Sequence, residues 1–277
     1  MAAYLGKQFL CRQCCSALIL HRAVVKRRHL CTSTSSSSMT AVFLGNRSHI
    51  KVSGEDAVGF LNGLVTNDIN LFNADGRMSV LYSMMLNSKG RVLYDFLVYK
   101  LAGNLDMPMF LLECDSGAAS GIIKTIKPYR LRSRVEFSDV SQQFGSWSVI
   151  EEGAHEKLER RRSKSFDNLV LVEDPRLSIL GARLLLPRAD MPSEYYRNIS
   201  EAMDQDVYDV HRACNGVSEG LKDIEPGVAL PLEYNITELC GGTLLYSSLE
   251  TLLCMQNIFW AHLKICVIPQ SLQSGPY

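Results

Sequence analysis

A chain of 277 residues that is 47% hydrophobic and 21% charged is long enough for one large domain or two ordinary ones with a sizeable core. The formal net charge of zero hides an asymmetry, because all the acidic residues lie at or beyond Glu55, whereas several basic residues precede residue 39. Residues 39–277 are therefore acidic overall, which argues against a general nucleic-acid binder.

Residues 1–38 predict a mitochondrial transit peptide. The segment is Arg-rich, contains no acidic residue, has a short apolar stretch at residues 17–20 and ends in the sequence "CTSTSSSS". A cationic amphipathic helix followed by a flexible cleavage region is typical of import into mitochondria. A secretory signal is the alternative, but His21 and Arg22 interrupt the apolar run. We therefore expect the mature protein in the mitochondrial matrix.

Membrane insertion and metal binding find little support in the sequence. The most apolar segment, residues 251–263, is bounded by Glu250 and Lys264 and is shorter than the about 20 residues that cross a bilayer. The cysteines beyond residue 38 show no spacing typical of metal ligands. We expect them to be reduced core thiols: Cys114, Cys214, Cys240, Cys254 and Cys266.

The first predicted helix lies in the segment that opens the folded part, residues 41–69. Ser53 followed by Asp56 is a helix-start signature, in which the serine oxygen accepts from a free backbone N–H. Apolar residues at helical spacing then predict one buried face: Val58, Phe60, Leu61, Leu64 and Val65. Gly63 and the polar residues 66–68 predict the end of this helix.

An antiparallel hairpin and two further elements come next. The segments "SVLYSMML" (residues 79–86) and "RVLYDFLVYK" (residues 91–100) flank the turn-forming sequence at residues 87–90. Residues 109–115 predict another short buried strand. Residues 117–131 predict a helix that ends before Pro128, since proline cannot continue a helix.

Each of two charged segments beyond residue 126 allows two interpretations. Arg130, Arg132 and Arg134 alternate, which places them on one face of a predicted strand; this face either binds a polyanionic tail or is simply solvated. Residues 151–165 predict an exposed loop or a frayed helix. Further on, a helical pattern predicts a helix through Val207, Val210 and Ala213.

Two carboxylates occupy apolar surroundings far apart in the sequence. Asp95 lies in the middle of the second hairpin strand, and Glu233 follows the apolar run of "GVALPLE". Burying a carboxylate costs several kcal/mol unless it is paired or hydrogen-bonded. If the two converge, they form a site with perturbed pKa values suited to proton handling or to binding amides and amines. The alternative is that each is a paired structural carboxylate.

Four segments in order resemble a known family: "GEDAVGFLNGLVTNDI", "YSMMLNSKGRVLYDFLVYK", "YRLRSRVEFSDVS" and "HRACNGVSEGLKDIEPGVALPLEYN". Together they are similar to the mitochondrial iron–sulfur cluster assembly factors of the YgfZ family. That family is related to the T-protein, the aminomethyltransferase of the glycine cleavage system. The resemblance runs from about residue 41 to residue 235.

The resemblance implies an α+β fold of three subdomains, with antiparallel sheets, arranged as a ring around a channel for tetrahydrofolate. Asp95 stands where the T-protein aspartate faces the reactive folate nitrogen, and Glu233 stands where a glutamate binds the pterin ring. Gly90 would let the backbone approach the ligand closely. Tyr94 replaces a second T-protein aspartate, which argues against aminomethyl transfer, and no catalytic residue is assigned.

The family also implies partners. Its mitochondrial members are implicated in maturing 4Fe–4S proteins such as aconitase and lipoate synthase, with A-type scaffold proteins, and would share an iron–sulfur cluster with a partner. We therefore expect an assembly factor rather than an enzyme. The alternatives are a folate-dependent one-carbon (aminomethyl) transferase and a non-catalytic interaction module.

The C-terminal segment departs from the family pattern. Residues 236–277 lack the Lys-Gly-Cys-Tyr-x-Gly-Gln-Glu block, whose cysteine suits iron or a cluster. Cys240 is a poor substitute because neither flank of the block is present. The segment is apolar without sustained periodicity, which favours an alternative exon or a shifted frame. We expect a transit peptide at 1–38, a folate-binding region at 39–235 and a divergent tail at 236–277, with the last subdomain altered or missing and the product inactive.

Overall fold

The computed structural model describes residues 39–74, 78–101, 107–151, 153–162, 169–237 and 239. The predictions for the transit peptide at 1–38, for Cys240 and for the tail beyond it lie outside these residues. Within them, ten strands form two five-stranded sheets, with helices packed on both sides of the pair.

The first sheet, called the central sheet, contains five strands: β2 (Arg47–Ser53), β3 (Val80–Leu86), β4 (Val92–Leu101), β5 (Met109–Asp115) and β6 (Glu136–Asp139). Their order is β3-β4-β5-β2-β6, and all neighbours are antiparallel. The hairpin of β3 and β4 pairs Met84 with Asp95 and Tyr82 with Leu97. These pairs place the four side chains on one face of the sheet.

The second sheet, called the outer sheet, contains β1 (Met39–Phe43), β7 (Phe144–Val149), β8 (Val170–Glu173), β9 (Ala182–Pro187) and β10 (Ile199–Ala202). Their order is β10-β1-β7-β9-β8. The pairing is antiparallel except between β1 and β10, which are parallel. The chain therefore enters the outer sheet with β1, builds the central sheet, and returns to complete the outer sheet.

Six α-helices connect and cover the sheets within the described residues: α1 (Ala57–Asn62), α2 (Leu71–Ala74), α3 (Ala119–Ile126), α4 (Ala154–Arg161), α5 (Asp206–Cys214) and α6 (Gly220–Asp223). Short 3₁₀ helices lie at Lys127–Arg130, Ser178–Leu180, Pro192–Glu194 and Pro231–Tyr234.

The two sheets stack face to face, so the central sheet is buried on both sides. One face carries Phe96 and Val98 and packs against α1 and α3. The opposite face carries Leu97 and Tyr99 and shares a core with Leu185 of the outer sheet. Burial on both faces explains why β4 is a nearly continuous apolar run rather than an alternating one. Any polar side chain on the inner face of β4 must find its partners between the sheets.

The predicted hairpin is confirmed, as are the strand at residues 109–115 and the helix that ends before Pro128. Gly63 is the C-terminal cap of α1, as predicted. The predicted cap at Ser53 is wrong: Ser53 ends β2, and Asp56 precedes α1. The Asp56 carboxylate instead accepts the backbone N–H of Arg134 at 2.7 Å, which ties α1 to the segment before β6.

The structure decides three predictions for residues 127–213. The strand through the alternating arginines is wrong, because residues 127–130 are helical and β6 begins only at Glu136. The charged run forms a regular helix, α4, because Ala154 and Leu158 bury one face of it. The helix through Val207 and Val210 is confirmed as α5, but these valines are exposed.

Candidate functional site

The site begins with Asp95, which β4 directs into the space between the two sheets. The side chain is only 4% exposed. Its Oδ1 accepts the backbone N–H of Gly220 at 3.0 Å, whereas its Oδ2 has no hydrogen-bond partner among the described residues. Burial raises the pKa of Asp95, although the nearby guanidinium of Arg47 opposes the shift. Asp95 is therefore a buried carboxylate with one satisfied and one free oxygen.

The loop before α6 supplies the N–H that contacts Asp95. Gly220 has a φ of +74°, in the left-handed region that favours glycine. A Cβ at this position would lie 2.5 Å from Oδ2 of Asp115, a residue at the end of β5. Asp115 also accepts the N–H of Gly117 at 2.8 Å, so it is itself fixed by the chain turn that follows β5. Only glycine allows this loop to approach β4 and β5 so closely.

A buried charge network surrounds the Asp95 site and joins the two sheets. Its members are Arg47, Tyr99, Glu113, Asp174, Arg176, Arg183, Tyr208 and Glu219. Glu113 of the central sheet accepts Nη1 of Arg183 from the outer sheet at 3.0 Å. Glu219 accepts Nη1 of Arg176 at 2.5 Å and Nη2 of Arg183 at 3.0 Å. The network thus fixes the position of residue 219, and with it the neighbouring N–H that contacts Asp95.

The arginines keep the network carboxylates ionised. Burial by itself would raise the pKa of Glu219, but the guanidinium groups of Arg47, Arg176 and Arg183 hold it well below the usual value. The pKa of Glu113 is likewise lowered against the effect of burial, with Arg183 the main cause. Asp95 differs from these carboxylates because its pKa is raised. A buried carboxylate that has a raised pKa and one oxygen without a hydrogen-bond partner is typical of a binding or proton-handling site.

Two further buried polar atoms near Asp95 have no hydrogen-bond partner in the part of the chain that the structure describes. They are the hydroxyl of Tyr82 and Nη1 of Arg47, and the latter lies 3.5 Å from Oε1 of Glu219 as an ion pair. Tyr82 shares the inner face of the hairpin with Asp95, and its pKa is raised first by burial and then by the charge of Asp95. A free carboxylate oxygen and a free hydroxyl can together bind a ligand that carries an N–H or an amine.

The other two predicted site residues lie elsewhere. Glu233 is exposed in the helical turn Pro231–Tyr234, where its Oε2 accepts the N–H of Leu230 at 3.0 Å. Gly90 has a φ of +72° in the hairpin turn, and a Cβ there would meet nothing within 4 Å. Among the described residues, no hydrogen bond or ion pair joins Glu233 to Asp95. The structure therefore does not bring the two predicted carboxylates into contact.

The elements that carry these two carboxylates nevertheless run side by side. Val92 at the start of β4 donates its N–H to Ala229 at 2.8 Å and accepts the N–H of Gly227 at 2.7 Å. Residues 227–229 therefore pair with the start of β4, three residues before Asp95. The turn that holds Glu233 follows directly and packs Leu232 against the core between the sheets.

Sequence reasoning missed Arg47, Tyr82 and Glu219. Arg47 and His49 alternate with other residues on β2, a pattern that favours a solvent-facing side. Both are buried, because the outer sheet covers this face. The only available signal for Glu219 was the Gly after it, which marks a tight loop without revealing what the glutamate contacts.

The described residues offer no evident metal centre. They contain no group of three or more His, Cys, Asp or Glu side chains that could hold an ion. Cys114 is buried and free, as predicted, and burial raises its pKa to about 12, so it remains a thiol. The prediction is wrong for Cys214, which is exposed. No helix of the described part is long and apolar enough to cross a membrane.

Comparison with known proteins defines the class first. The GCVT N-terminal domain family matches residues 32–163. The glycine cleavage system aminomethyltransferase T from Bartonella henselae has a similar structure, with a TM-score of 0.57 at 14% identity, covering 82% of this chain and 64% of that one. The predicted α+β fold of the T-protein type is therefore confirmed.

The more specific relatives are named iron–sulfur cluster assembly factor IBA57, mitochondrial. The human protein is 32% identical over 218 residues, which cover 75% of this chain and 59% of the relative. The mouse protein is 33% identical, covering 73% and 57%, and the Dictyostelium discoideum homologue is 28% identical, covering 72% and 54%. The chain is therefore similar to the mitochondrial iron–sulfur cluster assembly factors, as predicted, and spans less than two thirds of the length of these relatives.

Proposed function

We propose that this protein is an iron–sulfur cluster assembly factor of the mitochondrial matrix that acts in the maturation of 4Fe–4S proteins. The observation that carries the proposal is the similarity, over about three quarters of the chain, to relatives named mitochondrial iron–sulfur cluster assembly factors.

Tetrahydrofolate binding at Asp95 is the finer part of the proposal. The free Oδ2 of Asp95 would accept a ring N–H of the ligand, and the free hydroxyl of Tyr82 would add a second polar contact. Glu233 would hold the pterin ring through paired charge-assisted hydrogen bonds, and Gly90 would allow close approach of the hairpin turn. Tetrahydrofolate, when bound, would supply ring nitrogens that carry one-carbon groups.

Access to Asp95 sets a requirement on this proposal. The carboxylate is almost wholly buried, and the N–H of Gly220 caps one of its oxygens. A folate ring can reach the free oxygen only if the residues that bury it move apart. In its exposed turn, Glu233 already has one oxygen bonded to a backbone N–H, so pterin binding there would compete with that hydrogen bond.

A binding role is better supported than aminomethyl transfer. Tyr94, which stands where the T-protein has a second aspartate, packs on the opposite face of the central sheet, against α1 and α3. Asp95 is then the single carboxylate that β4 offers to the space between the sheets. Its raised pKa makes the ionised carboxylate more basic than that of an ordinary aspartate, which suits accepting a hydrogen bond from a ligand N–H or taking up a proton.

The partners are proposed from the relatives. We propose that an A-type scaffold protein shares an iron–sulfur cluster with the family member and that aconitase and lipoate synthase receive the product. Sharing a cluster requires a thiolate, and buried Cys114 is unsuitable because its pKa is raised. Residues 236–277 lack the family's cysteine block, so we propose that this chain is inactive in the cluster-sharing step.

Complementation tests both parts of the proposal. The chain and a chimera, in which the C-terminal part of the human relative replaces residues 236–277, are expressed in cells that lack the full-length factor. Aconitase activity and protein lipoylation are measured after import and abundance have been matched. We expect the chimera to restore both activities and the unmodified chain to restore neither. A properly imported and folded chimera that restores neither would refute the assignment.

A further inference from the structure

A second surface, far from the Asp95 site in sequence, has the features of a docking groove. It lies between α1 and the turn that follows α3, where two adjoining cavities of about 850 and 550 Å³ share Asp56, Tyr129 and Ser133. We call this surface the α1 groove. The residues that line it include Gly59, Phe60, Gly63, Tyr129, Leu131 and Arg132.

The wall of the groove holds an apolar side chain in water. Leu131 is 88% exposed, and Tyr129 beside it is 58% exposed. Leu131 also has a φ of +38°, a conformation that side chains with a Cβ rarely adopt. A leucine that is both strained and exposed gains nothing from the fold of the monomer. Strained residues of this kind concentrate at sites that clamp a ligand.

The floor of the groove is open to a close approach. Gly59 and Gly63 lie four residues apart and so share one face of α1. A Cβ at Gly59 would meet nothing within 4 Å, and one at Gly63 would meet only backbone of its own helix. Another polypeptide can therefore pack its backbone directly against α1, as small residues permit at helix contacts. Phe60 of the same helix is buried and anchors α1 in the core.

The rim of the groove is basic. Arg132 lines the groove, and Lys127 and Arg130 lie in the helical turn that leads to it; all three are exposed and make no ion pair within the described ranges. Arg134 behaves differently, because it pairs with Glu55 at 2.6 Å and lies 3.9 Å from Asp56. Arg134 thus offsets one of these two acidic charges, and the three remaining cations, which face solvent, outnumber the one that is left. Their charge is available to a partner.

We propose that the α1 groove docks an acidic, amphipathic segment of a partner protein. Apolar side chains of that segment cover Leu131 and Tyr129, its backbone lies over Gly59 and Gly63, and its carboxylates face the basic rim. Such charge complementarity mainly sets the rate and specificity of association, while buried apolar anchors supply affinity. An anionic lipid surface fits less well, because a floor of small residues at Gly59 and Gly63 suits a polypeptide backbone rather than lipid headgroups. This proposal is independent of folate binding.

Peptide display on the full chain tests the proposal without presupposing the partner. A random peptide library is selected against the wild-type protein, and enriched peptides are synthesised and measured by fluorescence anisotropy. We expect enriched sequences to combine Asp or Glu with apolar residues. Their affinity should fall about tenfold or more in R130E/R132E and decrease with salt. The matched control is R197E/K222E, which reverses two exposed charges outside the groove and should leave the affinity unchanged.

Leu131→Gly separates docking from folding. Glycine accepts the φ of residue 131, so the variant should melt at the wild-type temperature or above it, yet bind the selected peptides about tenfold more weakly. Several results would overturn the proposal: no enrichment, enriched peptides without acidic residues, or unchanged affinity in both groove variants. Groove-dependent binding to phosphatidylserine vesicles without peptide binding, or groove-dependent self-association in sedimentation, would also overturn it in favour of a membrane or a second copy.

Discussion

Replacing Glu219 by glutamine should destabilise the protein strongly. The Glu219 carboxylate accepts from Arg176 at 2.5 Å, from Arg183 at 3.0 Å and from the Tyr208 hydroxyl at 2.7 Å, and all four side chains are buried. Glutamine keeps the shape but removes the charge that balances these guanidinium groups. Breaking a buried ion pair by removing one partner costs about 3–5 kcal/mol. That is a large part of the about 5–15 kcal/mol that stabilises a typical domain.

The assay is urea and thermal denaturation of wild type and Glu219→Gln. A domain of this size loses about 2–4 °C of Tm per kcal/mol, so we expect a decrease of about 6–20 °C. The control is Glu156→Gln, which removes an exposed ion pair with Arg160 at 3.2 Å and should cost about 0–1 kcal/mol. If the two variants lose the same small amount of unfolding free energy, the network does not stabilise the fold as argued.

The dependence on pH follows from the lowered pKa of Glu219. A carboxylate whose pKa is lower in the folded state contributes stability above its unfolded pKa, about 4.3, and loses it as the pH falls through the folded value. The gap between wild type and Glu219→Gln should therefore be full at pH 7 and shrink on acidification below about pH 4. A gap that is constant from pH 7 to pH 3 would contradict the electrostatic origin.

Three further outcomes are expected. Asp95→Asn should raise the Tm at pH 7 by about 2–4 °C, because the substitution removes a buried charge whose free oxygen costs about 1 kcal/mol of stability. The gain in Tm should vanish below about pH 4. A lower Tm at pH 7 would show that Asp95 is structural. Gly220→Ala should lower the unfolding free energy in urea by about 1–3 kcal/mol more than Gly216→Ala does, because both glycines have a positive φ but only a Cβ at residue 220 would contact Asp115. Equal losses of unfolding free energy would contradict the close approach of this loop to Asp115. Wild-type unfolding free energy, measured from pH 7 to pH 3, should fall below about pH 4 as the carboxylates of the charge network are protonated; a rise would reverse the assigned sign.

Local patterns in the sequence were sufficient for the elements that depend on short-range chemistry. The hairpin turn at residues 87–90, the strand at residues 109–115 and the stop before Pro128 follow from turn propensity, apolar runs and the missing N–H of proline. The family resemblance gave the fold class, because it relied on the order of several segments rather than on one motif.

Patterns failed where a distant element decides which face is buried. On α5 the apolar Val207 and Val210 are exposed, while Tyr208 and Arg212 are buried because hydrogen bonds and ion pairs satisfy them. The periodicity of apolar residues predicts a helix, but it cannot predict that a polar face is buried because residues far along the chain satisfy its hydrogen bonds and charges.

The candidate site shows the same limit. The misplaced polarity of Asp95 was visible in the sequence because a carboxylate is unusual in a buried strand. Its contact with Gly220 joins residues 125 positions apart, and no short-range pattern predicts it. Nor did the sequence reveal that Glu233 would lie in an exposed turn, since its apolar neighbours are buried while its own side chain is not.

Calorimetric titration of tetrahydrofolate into wild type and Asp95→Asn measures whether Asp95 is a folate ligand. We expect measurable heat with wild type and at least a tenfold weaker affinity for the variant, because the free carboxylate oxygen is lost, while the Tm of the variant at pH 7 is not reduced. Equal affinity of the two proteins, or no heat with either, would contradict the assignment of Asp95 as a folate ligand.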